Sequence, residues 1–212
     1  MIKHEVFFFD KPGPANTQDV IRAVRARLEG GNIHYVVVAS ISGSTALKMA
    51  EALKDLGVNV VCVSLPPWCK EINPSGPMSV YPSVKDDIRA KLKELNVTIV
   101  DRVVSPFDVG DCSLVSIADA NVVIPIKVIA ETLRMVGGQG FKTAVEVAMM
   151  ATDAGYLPPY SEVISVGGTD RGADTSIVVQ NTFSQFILGK DKNKRFEVRE
   201  IIAMPRKKIW YW

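Results

Sequence analysis

The sequence predicts an α/β protein, a three-layer sandwich whose mostly parallel central sheet is covered by helices on both faces. Three observations predict it. Short β-branched runs, Val36-Val37-Val38 among them, read as strands buried on both sides. The segments between them carry apolar residues at helical spacing. Glycine- or hydroxyl-rich turns join the two kinds of segment. Strands alternating with helices imply parallel pairing with right-handed crossovers. At 212 residues the chain is long enough to bury a substantial core, and a single α/β domain over 1–212 is expected.

Taken in order, His4 to Phe9 is a short aromatic strand or extended entry. Asp10-Lys11-Pro12-Gly13-Pro14 stops it, because prolines cannot continue a ladder. Asn16 or Thr17 caps a first helix with Asp19 in its first turn, where a negative charge suits the dipole. Val20, Ile21, Val24 and Leu28 form its apolar stripe, and Gly30-Gly31 ends it. Next come the Val36–Val38 strand, the turn Ser40 to Thr45, and a helix in which Ala46, Leu47, Ala50 and Leu53 recur. Gly57 closes that helix, and Val58 to Ser64 is a second buried strand.

Leu65 to Pro82 has no periodicity and holds five prolines, so it reads as a long loop, either a lid or a surface excursion. A helix capped by Ser83 is predicted to Leu95, then a strand over Val97 to Val100. Val103 to Asp119 reads as loop with one turn of helix at most. Ala120 to Val136 reads as a helix with Pro125 in or near its first turn. Gly137-Gly138-Gln139-Gly140 breaks it before a helix over Phe141 to Ala154. Strands follow at Glu162 to Val166 and Ser176 to Gln180, joined by the glycine-rich turn Gly167 to Thr175. Phe196 to Ile202 alternates apolar and charged residues, which suits an edge strand. The tail is Arg206 to Trp212.

Composition excludes several functions. With 47% hydrophobic and 23% charged residues and a net charge of +2, nothing points to nucleic acid or a membrane surface as partner. Cys62, Cys69 and Cys112 have no metal-ligand spacing, and with two histidines no metal site is expected. The odd cysteine count and lack of a signal peptide point to the cytoplasm. The apolar runs are too short or too interrupted to span a membrane.

The turn Ser40-Ile41-Ser42-Gly43-Ser44-Thr45 is the main candidate for chemistry. A helix start offers unpaired N–H groups and the positive end of a dipole. Gly43 lets backbone approach a ligand closely, and Ser40, Ser42, Ser44 and Thr45 add donors without bulk. A cap needs one hydroxyl and this turn has four, which favours a phosphate over simple capping. The turn is neither a Walker loop nor a three-glycine dinucleotide fingerprint. Ligands of such sheets bind beyond the strand carboxyl ends, where strand order reverses. Three loops are expected to converge there: Ser40 to Thr45, Gly137 to Gly140, and Gly167 to Thr175. Arg171 could pair with a phosphate or be solvated, and both stay open. Lys142, just inside a helix start, fits a solvated face better than an anion contact. Asp170 and Asp174 sit in a glycine-rich turn, where Asp is more often a turn former than a catalyst. No nucleophile elbow, histidine-assisted nucleophile or paired carboxylates stand out.

Three separated motifs resemble a known family. Ser40-Ile41-Ser42-Gly43-Ser44-Thr45-Ala46 after a buried strand is similar to the sugar-phosphate-binding loop of the pyruvate kinase C-terminal domain. Gly172 to Val179 is similar to that domain's closing effector loop and last strand. Phe9-Asp10-Lys11-Pro12-Gly13-Pro14-Ala15-Asn16-Thr17 and Val166 to Thr175 resemble the opening and the glycine signature of stand-alone archaeal proteins of pyruvate kinase C-terminal-domain-like type. The resemblance implies that fold, a phosphorylated ligand and specifically flavin mononucleotide (FMN). It implies ligand contacts from Asn16, Ser40, Ser42, Gly43, Ser44, Thr45, Gly138, Gln139, Gly140, Gly168, Thr169, Gly172, Ala173, Asp174 and Thr175. The chain departs from the family over Leu65 to Pro82, so nothing is carried over from that loop. Pyruvate kinase does its chemistry in a barrel that this chain has no room for. Two classes follow: a metabolite-binding or regulatory protein of unknown reaction, which missing acid–base residues favour, or a flavin- or phosphometabolite-dependent enzyme. A homo-oligomer, a dimer in size, is expected from Trp210 and Trp212 at the terminus, the alternative being that they pack on their own domain.

Overall fold

The computed structural model describes residues 3–66, 83–109, 113–115 and 124–208. A seven-stranded sheet has the order β1-β9-β8-β7-β2-β3-β4. Its strands are β1 (Phe7–Phe9), β2 (Tyr35–Ala39), β3 (Asn59–Val63), β4 (Thr98–Val100), β7 (Glu162–Gly167), β8 (Thr175–Gln180) and β9 (Glu197–Pro205). The pairs β1/β9, β2/β3, β2/β7 and β3/β4 are parallel; only β7/β8 and β8/β9 are antiparallel. The helices are α1 (Thr17–Glu29), α2 (Ser44–Leu53), α3 (Asp86–Glu94), α4 (Pro125–Gly137) and α5 (Gln139–Asp153).

The period of two along each strand builds the three layers. Val36 and Val38 face one core with Val20, Val24, Met49, Leu53 and Leu92, from α1, α2 and α3. Val37 points the other way, into a core with Ala144, Ala148 and Met149 of α5 and Ala130 of α4. All three valines are fully buried. The predicted two-sided burial of that strand is therefore what the structure has. Arg27 of α1 ties the first layer to β9 through two hydrogen bonds to Glu200, 2.7 and 2.9 Å.

Of the sequence expectations for single segments, one holds and three change. Phe196 to Ile202 is bordered as the alternation suggests: β9 pairs β8 from Glu197 to Ala203, whereas β1 joins its other side only at Ala203 to Pro205. The outer strands of the sheet are β1, whose Phe7 and Phe8 are exposed, and β4. Within Val103 to Asp119 the chain forms β5 (Ser105–Val109) and β6 (Ser113–Val115), which pair as a second, two-stranded sheet. Pro106 hid the first of these. Ser83 does not cap α3, which starts at Asp86 with Lys85 in the cap position. The predicted helix over Ala120 to Val136 runs from Pro125, in its first turn, to Gly137. Residues 67–82 of the proline-rich loop, Cys69, Cys112 and the tail tryptophans lie outside the described residues. Among those described, no helix is long and apolar enough to cross a membrane, and no group of three His, Cys, Asp or Glu could hold a metal ion.

α5 is buried almost all round, and this overturns the solvated position expected for Lys142. Its side chain is 1% exposed and its ammonium donates to Glu146 Oε2 at 2.7 Å, one helical turn on. Ser105 Oγ donates to the other carboxylate oxygen. A lysine on a helix whose other faces are alanine, valine and methionine must be buried with a partner.

Candidate functional site: the carboxyl end of the sheet

From β2 the chain steps to β3 and β4 on one side and later to β7 on the other, so strand order reverses between β2 and β7. That crevice is where ligands of open α/β sheets bind. The turns after β1, β2, β7 and β9 and the starts of α2 and α5 gather at this end. Both histidines, His4 and His34, precede strands instead.

The Ser40–Thr45 turn is built as predicted in outline but not in detail. Ser40 continues the β2/β3 ladder, its amide donating to the Val63 carbonyl at 2.9 Å. Its side chain then caps α2: Ser40 Oγ accepts from the amides of Thr45 (3.1 Å) and Ala46 (3.3 Å). The Ser64 hydroxyl donates to the Ile41 carbonyl and the Cys62 thiol to that of Ser40, which fastens the turn to β3. Burial pushes that thiol up to about 12, so it stays protonated and unreactive. Gly43 stands at the helix cap with φ of 82°. A Cβ added there would lie 2.7 Å from Ile88 Cγ2 and 3.1 Å from Leu92 Cδ1. Gly43 is thus required by its left-handed backbone and by α3 packed against it, a reason that the sequence reading did not contain. On the exposed side of the turn the hydroxyls of Ser42 and Ser44 hydrogen-bond each other at 3.0 Å, which leaves one of the two O–H groups to donate outward.

The second group centres on Asp174, which is fully buried. Its Oδ2 accepts from the amides of Gly13 (2.9 Å) and Thr169 (3.0 Å), and its Oδ1 from the Thr175 hydroxyl (2.8 Å). Burial pushes its carboxyl above the usual range against the pull of the Thr169 side chain and of these three donors. Thr17 reinforces the junction, its hydroxyl donating to the Pro14 carbonyl and accepting from the Ala173 amide at 3.1 Å. Asn16 stands at the cap position of α1, as expected, but its side chain makes no capping bond; its amide donates to the Lys11 carbonyl at 2.8 Å.

Close approach of backbones explains the glycines here. A Cβ on Gly140 would collide with Asp174 Oδ1 and Thr175 Oγ1, and one on Gly167 with the Gly140 carbonyl. A Cβ on Gly168 would meet the Gly172 carbonyl, and one on Gly172 would lie 2.8 Å from Pro14 Cα. Gly138, with φ of 87°, ends α4 and starts α5, so the four-residue break predicted there is a single residue.

The structure therefore brings Gly140, Gly168, Thr169, Gly172, Ala173, Asp174 and Thr175 into one junction, with Gly13 and Thr17 as partners the sequence reading missed. Gln139 is committed elsewhere: its carbonyl accepts from Arg134 at 2.6 Å and its amide reaches Thr143. Among the described residues no hydrogen bond joins the Ser40 turn to the Asp174 junction. The two groups share only the sheet end, Ser40 and Gly168 each standing two residues past the paired Val38 and Val166. Lys208 is a further missed residue. Its stem passes over Gly138 and its ammonium donates to the Pro205 carbonyl. Burial lowers its pKa while Asp174 acts to raise it. Beside it Arg206 and Lys207, with Asp10, line an open cleft of about 260 Å³. Arg171 is 72% exposed and 3.9 Å from Asp170.

Chemically, this end offers hydroxyls, helix starts and cations, and its buried carboxylate already holds three donors. No family model matches the chain.

Proposed function

We propose that the protein binds a phosphorylated small molecule, FMN in the first instance, across the carboxyl end of the sheet, as a metabolite-binding or regulatory protein of the pyruvate kinase C-terminal-domain-like type. The observation that carries this is the crevice between β2 and β7, where the strand order reverses. There the exposed Ser42 and Ser44 hydroxyls at the start of α2 stand at the same end as the start of α5. Arg206 and Lys207 add positive charge at that end, beside the carboxylate of Asp10. Asp174 faces inward with both oxygens hydrogen-bonded, which does not favour it as an acid–base group.

Fluorescence titration with FMN and with riboflavin tests the reading. FMN is expected to bind at least about tenfold more tightly, the difference a charge-assisted phosphate contact makes. Equal affinities would mean that the Ser40–Thr45 turn is a helix cap and nothing more. Incubating the loaded protein with reduced nicotinamide then separates binder from flavin enzyme, since a binder shows only slow background reduction.

A further inference from the structure

Asp174 does more than form a turn. Its three hydrogen bonds reach a residue 161 positions earlier, a residue five earlier and its neighbour. The first is the amide of Gly13, in the loop after β1; the second is the amide of Thr169, in the β7–β8 turn. Oδ1 also faces Gly140, at the start of α5, where no side chain has room. One carboxylate thus joins three segments that share no secondary structure at this point. We infer that Asp174 is the positioning residue of the cleft, the group that holds the β1–α1 loop and the β7–β8 turn in a single arrangement against the start of α5. The inference rests on the reading of this end as a phosphate-ester site.

Its chemistry is specific. Both backbone amides meet on Oδ2, and a charged carboxylate oxygen accepts such a pair more strongly than a neutral one. The amide of asparagine has the same size and can turn its carbonyl to the two amides and its NH₂ to the Thr175 hydroxyl, but it brings no charge to strengthen the bonds. A glutamate needs one more methylene where Oδ1 already fills the space beside Gly140. The requirement is for a strong acceptor at fixed volume, which a side chain serving only as filler would not show. Asp174 touches no ligand in this scheme and acts through the loops it ties.

The test is Asp174→Asn in the full chain, with Thr175→Val as a milder variant that removes one donor and keeps the volume. Two measurements are made on each: amide hydrogen exchange by NMR at Gly13 and Thr169, with Ile164 and Val178 of the sheet as internal reference, and titration with FMN and riboflavin. Asp174→Asn is expected to speed exchange at Gly13 and Thr169 by about tenfold or more while the sheet amides keep their protection. FMN affinity should fall by a similar factor, with riboflavin little changed. Thr175→Val should show both changes at smaller amplitude, and it carries the test if Asp174→Asn does not fold. Unchanged exchange at Gly13 overturns the inference. So does faster exchange with unaltered FMN affinity, since the loops tied by Asp174 would then not be those that hold the ligand. A wild type that fails to prefer FMN over riboflavin sinks the phosphate reading by itself, and the exchange data alone then decide whether Asp174 holds the loops.

Discussion

The turns after β2 and β7 stand side by side at the same end of the sheet, and each is organised by one buried acceptor. After β2 the acceptor is the neutral hydroxyl of Ser40, which takes the amides of Thr45 and Ala46, five and six residues on. After β7 it is the carboxylate of Asp174, which takes amides from Thr169 and from Gly13. A hydroxyl needs little desolvation and serves a helix start already close in the chain. A carboxylate is far costlier to bury, and it persists here because three donors replace the water it loses. The local turn can form with the helix it caps, whereas the Asp174 junction exists only once the β1–α1 loop and the β7–β8 turn have met.

The sharpest way to break this contrast is Asp174→Ala. It leaves two buried amides and a hydroxyl without an acceptor, and a loss of about 3 kcal/mol is expected in urea unfolding, with part of the gross cost offset by removing a buried charge. A loss below that of a single cap would mean that the junction does not depend on the carboxylate.

Next in size is Gly43→Ala, expected to cost roughly 1–3 kcal/mol through the left-handed backbone and the contact with Ile88. FMN affinity of the folded variant should not change, because the glycine faces α3. Weaker FMN binding at full stability would return Gly43 to the ligand side. Smaller again, Ser40→Ala removes a helix cap and should cost about 1 kcal/mol, read from the thermal midpoint.

The smallest effect separates the two acceptors by charge. A carboxyl whose folded pKa lies above its unfolded value of 3.8 lets the folded state bind the proton first. The contribution of Asp174 to stability therefore rises as pH falls from its raised folded value toward 3.8, and is level below that. The stability gap between wild type and Asp174→Asn should widen over this window, whereas the gap for Ser40→Ala should stay flat with pH. Parallel curves for both variants would show that the carboxyl of Asp174 has the same pKa folded and unfolded.

Elements with a local cause were legible in the chain. The stripe Val20, Ile21, Val24 and Leu28 marked α1, and each of these residues is buried. Val36 to Val38 marked a strand sunk on both faces, and alternation of strand and helix marked a mostly parallel sheet in three layers. That the glycine-rich turns collect at one end followed as well, since successive parallel strands deliver their turns to the same side. The charged pair Lys142 and Glu146 had the spacing of a solvated ion pair, and only the apolar surroundings of α5 hinted that it is buried.

What tertiary structure alone decided is which donors each polar group meets. Ser40 could be recognised as part of a turn, but whether its hydroxyl or a ligand takes the α2 amides depends on a rotamer and on β3 beside it. Gly43 signals freedom for the backbone, yet the neighbour that demands it is Ile88, 45 residues later. Asp174 in a glycine-rich stretch reads as a turn former because its partner Gly13 is 161 residues away. Periodicity and turn chemistry act over a few residues and so leave their mark in sequence. Desolvation of a carboxylate, and the donors that offset it, act through space between segments whose meeting the chain does not record locally.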